Sequence, residues 1–123
     1  MLYQFNHRTN GVFTVSGSFA TNGGGAIDTT TIRGRGFTAV RSGVGIFTVT
    51  LTNRVAEMIS GSAALQTSAP TTSSGVLAAV TITNGVLVAT INTITSGALA
   101  DQAANSTNRV HFDFHVRGSL RPS

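Results

Sequence analysis

The 123-residue chain contains no cysteine, no tryptophan and no lysine, and it sets four acidic residues against eight arginines. The absence of cysteine removes disulfides and thiolate metal sites and leaves the redox compartment open. No run of 18 apolar residues is present, so no membrane-crossing helix is encoded. Residues 1–10 carry polar and charged side chains where a cleaved export signal needs an apolar stretch, and the expectation is a soluble protein without such a signal. Charged residues make up 10% of the chain, well below the roughly 25% of an ordinary domain. A small domain that remains solitary needs a dense ionic coat of both signs, so a surface this bland is expected to be covered by neighbours.

The net charge of +4 comes from arginines scattered along the sequence. A nucleic-acid binder concentrates its positive charge in a stripe with aromatics between, and only Arg33, Arg35 and Arg41 come near one another here. Arginine's planar fork suits protein contacts, so these three are expected at interfaces, with no nucleic-acid partner.

What the chain does have is period-two alternation of Thr, Val, Ala, Ile and Phe, broken about every ten residues by Gly, Asn and Ser. That pattern predicts an all-β fold, an antiparallel sandwich or barrel of jelly-roll-like kind. The length predicts one domain at residues 11–117, with an N-terminal arm at 1–10 and a tail at 118–123. Strands are expected over 12–20, 27–33, 37–41 and 46–52, the last placing Phe47, Val49 and Leu51 inward. Residues 53–60 carry the one helical signal: Asn53 can cap, and Val55, Met58 and Ile59 recur at helical spacing. At most one short helix is expected, near 54–60, followed by a short strand over 62–67. Residues 68–75 are nearly all Ser, Thr and Ala, too poor in apolar surface to order themselves, and read as a mobile loop or docking segment.

Asn84-Gly85 predicts a two-residue hairpin turn, pairing Thr83 with Val86, Ile82 with Leu87, Val80 with Ala89 and Ala78 with Ile91. In that register Val76, Ala78, Val80 and Ile82 share a face with Leu87, Ala89 and Ile91. A polar loop is expected over 95–108. The last strand, 109–117, alternates Val110, Phe112, Phe114 and Val116 with His111, Asp113, His115 and Arg117.

The sharpest chemical candidate is the His111-x-Asp113-x-His115 face, spanning about 13 Å along the strand. Two of these side chains with a further ligand such as His7 have the donor chemistry for Zn²⁺ or Ni²⁺. A strand buried on one side must, however, carry polar residues on the other, where such a row also discourages edge-to-edge aggregation. The expectation is therefore no metal and no cofactor. No Gly-x-Ser-x-Gly elbow is present, and Asp28, Glu57, Asp101 and Asp113 are the only carboxylates for a glycosidase-like pair, so no enzyme activity and no small-molecule substrate are expected. Gly23-Gly24-Gly25 and Gly34-Arg35-Gly36 lack the strand-to-helix context of a phosphate loop and read as turns.

Over residues 36–51 (Gly36-Phe37-Thr38-Ala39-Val40-Arg41-Ser42-Gly43-Val44-Gly45-Ile46-Phe47-Thr48-Val49-Thr50-Leu51) and 109–117 (Arg109-Val110-His111-Phe112-Asp113-Phe114-His115-Val116-Arg117), the chain resembles short β-rich virion proteins of tailed bacteriophages. The resemblance implies a head decoration, or cement, protein: a small barrel or sandwich, commonly trimeric, that sits at three-fold positions on the capsid exterior and clamps major capsid protein subunits. Many modest contacts repeated by symmetry would suffice for that task. Expected contact residues are Tyr3, Phe5 and Arg8 in the arm, Arg33, Arg35 and Arg41, and the polar face of His111, Asp113, His115 and Arg117. The alternatives are a tail- or fibre-associated domain binding host glycans, for which Tyr3 is the only tyrosine and tryptophan is lacking, and an arginine-dependent nucleic-acid-binding or internal head protein.

Overall fold

The computed structural model describes residues 11–22, 26–67, 72–101 and 108–118. Among these residues are nine strands, β1 (Val12–Thr21), β2 (Ile27–Gly34), β3 (Phe37–Gly43), β4 (Ile46–Leu51), β5 (Val55–Gln66), β6 (Ser73–Thr83), β7 (Val86–Thr95), β8 (Ala98–Leu99) and β9 (Arg109–Gly118). One sheet has the order β2-β1-β9-β5 and the other β3-β4-β7-β6, with β8 continuing alongside β7. Every pairing is antiparallel. Of the architectures the alternation leaves open, the fold is the sandwich.

The two inner faces interdigitate as expected of aligned sheets. Val15 and Phe19 of β1 and Val110, Phe112, Phe114 and Val116 of β9 meet Phe47, Val49 and Leu51 of β4 and Leu87, Ala89 and Ile91 of β7, all buried. Phe19 crosses to Phe47 edge-on at 5.2 Å between ring centroids. Phe112 stacks on Phe114 at 4.9 Å and meets Phe37 edge-on at 4.8 Å. β9 runs through the middle of its sheet, which is why its alternation is the cleanest in the chain.

The Asn84-Gly85 turn has both central residues left-handed, at φ 53° and 80°, the type I′ geometry whose twist matches the flanking strands. Thr83, Ile82 and Val80 pair with Val86, Leu87 and Ala89 as expected. The expected Ala78–Ile91 pair does not form. A bulge between Leu77 and Ala79 sets Leu77 opposite Ile91 and turns Ala78 out. One extra residue brings the larger apolar side chain to the core and leaves Val76 38% exposed on the outer face.

Residues 54–60 form no helix. Val55 opens β5, its amide bonding the Gly85 carbonyl, and pairing with the long edge of β9 outweighs a helical pattern of one or two turns. The strand expected over 62–67 is the second half of β5. Of the expected loop over 68–75, Ser73, Ser74 and Gly75 belong to β6, paired with Thr95, Ile94 and Thr93; residues 68–71 lie outside the described residues. A Cβ on Gly75 would lie 3.0 Å from the backbone of Ala64 and Leu65, so the two sheets close against each other along β5 and β6. The expected loop over 95–108 contains the two-residue turn Ser96-Gly97 and β8. Gly118, assigned to the tail, extends β9 and pairs with Val55. The arm and residues 119–123 lie outside the described residues.

Candidate functional site

The outer faces of the two sheets differ in chemistry. On the four-stranded sheet the outward positions of β9 are Arg109, His111, Asp113, His115 and Arg117, flanked by Ser18, Ser16 and Thr14 of β1 and by Gln66, Ala64, Ser62, Ser60 and Glu57 of β5. Arg109 reaches across its neighbour to donate to Ser18 Oγ at 2.8 Å and to the Thr31 carbonyl at 2.6 Å. Arg117 donates to Glu57 Oε1 at 2.8 Å, an exposed pair that adds little stability.

His111 Nε2 donates to Gln66 Oε1 at 2.7 Å, and the His115 ring bonds the Thr14 hydroxyl at 3.3 Å, so each ring is engaged by a neighbouring strand. No group of three metal-ligating side chains gathers among the described residues. Small side chains on both sides of β9 leave an open trough of about 460 Å³ lined by Ser16, Gly17, Ser62, Ala64, His111, Phe112 and Asp113.

The five-stranded sheet presents the opposite surface. Its register aligns Thr38, Thr50, Val88 and Thr81 in one row and Val40, Thr48, Thr90 and Ala79 in the next, with Ile46, Asn92 and Val76 in a third. Val86 with Thr83 and Ile94 with Ser74 extend the face at its two ends. None of these outward residues is ionisable. Val40 is 58% exposed on the edge strand β3, and Val76 on β6 and Val86 on β7 are exposed elsewhere on the same face. One polar atom is ill-served here, since Asn92 Oδ1 is buried without a hydrogen-bond partner.

Arg41 is part of a structural clamp at one end of the sandwich, with its side chain still 29% exposed. It holds Asp101 through Nε at 3.2 Å and a terminal nitrogen at 2.6 Å, and the Gly45 amide donates to the same carboxylate at 2.8 Å. The Arg41 guanidinium, and after it the Gly45 amide, hold the Asp101 carboxyl below the usual carboxylate range. Gly45 has φ 66°, and a Cβ there would meet the Thr93 carbonyl and the Ala100 amide at 2.7 Å, so only glycine admits this packing.

The expected contact residues thus separate. His111, Asp113, His115 and Arg117 share one outer face, exposed Arg33 lies on the edge strand β2, exposed Arg35 sits in the turn before β3, and Arg41 is engaged by Asp101. Tyr3, Phe5 and Arg8, with the possible ligand His7, lie outside the described residues. The charge-free outward positions of β3, β4, β6 and β7 show as alternation strand by strand, but β5 with its exposed Glu57 interrupts them in the chain, so their union into one face emerges only in the sheet order β3-β4-β7-β6. No family model, curated protein or solved structure matches the chain.

Proposed function

We propose that this is a non-enzymatic structural virion protein that decorates the outside of a phage capsid, binding major capsid protein at three-fold positions, with the trimer as its expected assembly. The observation that carries the proposal is the outer face of the five-stranded sheet, several strands wide, free of charge and studded with exposed valines. Desolvating Thr, Val, Ile and Ala costs far less than desolvating Lys or Glu, so this is the face best suited to lie against a flat partner. The likeness of residues 36–51 and 109–117 to short virion proteins supports the same reading, and those residues form β3, β4 and β9.

The glycan-binding alternative draws on the trough beside Asp113, whose carboxylate and neighbouring Ser16 and Ser62 hydroxyls are hydrogen-bonding groups on an open surface. Mixing purified protein with assembled shells that lack it, then imaging the particles, separates the two. Decoration predicts many copies per head at local three-fold positions. Density confined to the tail, with glycan-array binding by the isolated protein, favours the alternative.

A further inference from the structure

We propose that β3 is a self-pairing edge, joining β3 of a second copy antiparallel about a two-fold axis at Val40. The contact stands apart from the capsid-decoration reading and needs no shell.

A sandwich has four sheet edges, and an unguarded one is a template for another strand. Three are guarded here. β6 lies against β5, with Gly75 touching the Ala64–Leu65 backbone. β5 carries two register breaks, near Val55 and near Met58. On β2 the register breaks between Arg33 and Asp28, and the Thr31 side chain, in place of a backbone group, accepts from the Ala20 amide. β3 has none of these devices over most of its length. It contains no proline, its register break falls at its last pair, and its one charged residue, Arg41, is neutralised by Asp101.

The backbone has the right phase for such a pairing. Thr52 donates to the Gly36 carbonyl, and alternation along an antiparallel ladder then turns the polar groups of Thr38 and Val40 toward β4. Those of Phe37, Ala39 and Arg41 face away from the sheet. With the axis at Val40, Ala39 and the partner's Arg41 form a hydrogen-bonded pair, Val40 meets its own copy at a non-hydrogen-bonded pair, and Thr38 faces the partner's Ser42. Valine on valine and threonine on serine are both favourable cross-strand pairs, and no uncompensated like charges are opposed.

Val40 is also the most exposed of the large hydrophobic residues described, at 58%. A seven-residue edge falls short of the roughly 1,200 Å² of a standard interface, so the association is weak and concentration-dependent. Because the two-fold runs perpendicular to the sheet, pairing also joins the two uncharged faces into one surface.

The chain has no cysteine, so Val40→Cys gives a direct test. In this register the two Cα atoms lie about 4.5 Å apart, within the range a disulfide spans. Val44→Cys, 55% exposed in the adjacent turn, and Thr38→Cys are the controls, since neither meets its own copy across the axis. Under mild oxidation the Val40→Cys protein should form covalent dimer roughly tenfold or more faster than either control, because its thiols are held together. The double variant Thr38→Cys/Ser42→Cys should also cross-link, and Val40→Arg should lower self-association in equilibrium sedimentation. Reduced Val40→Cys melting like the parent confirms that the fold is kept. Cross-linking of Val40→Cys no faster than the controls, whether because β3 is empty or because residues 1–10 of the same chain cover it, overturns the proposal.

Discussion

The bulge in β6 yields a pair of substitutions with opposite expected outcomes. Leu77 lies opposite Ile91 and packs against the core, where a Cβ on Gly61 would come within 3.2 Å of its Cδ2. Ala78 is the turned-out residue and is exposed. Removing a fully buried leucine costs about 2–5 kcal/mol, and because Leu77 is only partly buried its replacement by alanine should cost about 2 kcal/mol, near the lower end. Ala78→Ser should change stability by no more than about 0.5 kcal/mol, as for other exposed positions. Urea unfolding followed by circular dichroism measures both, provided the slope of the transition is unchanged. An unbroken alternation would place Ala78 inside and Leu77 outside. A costly Ala78→Ser together with a neutral Leu77→Ala would therefore refute the bulge and the core assignment that follows from it.

Three further outcomes follow from the same structure. Phe112, buried against Phe37 and Phe114, should cost about 3–5 kcal/mol when replaced by alanine, and a urea melt like the parent's would remove β9 from the core. Asp101→Asn should lower the melting temperature at neutral pH. The Asp101 pKa is depressed in the folded state, so the stabilisation is complete above the ordinary value of 3.8 and fades as pH falls through the lowered one; a gap between variant and parent that does not narrow in acid would contradict this. Asn92→Val removes a buried, unpartnered oxygen and should raise stability by about 1 kcal/mol in the same melts, whereas a loss would mean that the amide is satisfied in solution.

Much of the sandwich is legible in the sequence because one buried face and one outer face enforce period two. The inward residues of β4, β7 and β9 follow from alternation alone, and the Asn84-Gly85 turn sets the β6–β7 register as far as Val80 and Ala89. Beyond that point local rules give way. The bulge at Ala78 trades a small core residue for a large one, a choice decided by the space beside Gly61 and not by the pattern of β6. β5 defeats its own helical spacing because β9 offers it a ladder running from Arg109 to Gly118.

The candidate site is harder to read, since no single strand contains it. Threonines at 38, 48, 50, 81 and 90 look like ordinary outward residues until the register of four strands assembles them into one uncharged face. The Arg41–Asp101 clamp is equally hidden, because its partners lie 60 residues apart in the chain. The His-Asp-His row is plain in the sequence, but its rings turn to Gln66 and Thr14.

The measurement closest to the central claim is co-sedimentation with undecorated shells of two folded variants, Thr48→Glu in the middle of the uncharged face and Thr14→Glu on the opposite sheet. A carboxylate forced into a contact without a partner costs several kcal/mol, so Thr48→Glu should lose binding while Thr14→Glu binds like the parent. Full binding by Thr48→Glu, or its loss in Thr14→Glu alone, would contradict the assignment of the uncharged face as the docking surface.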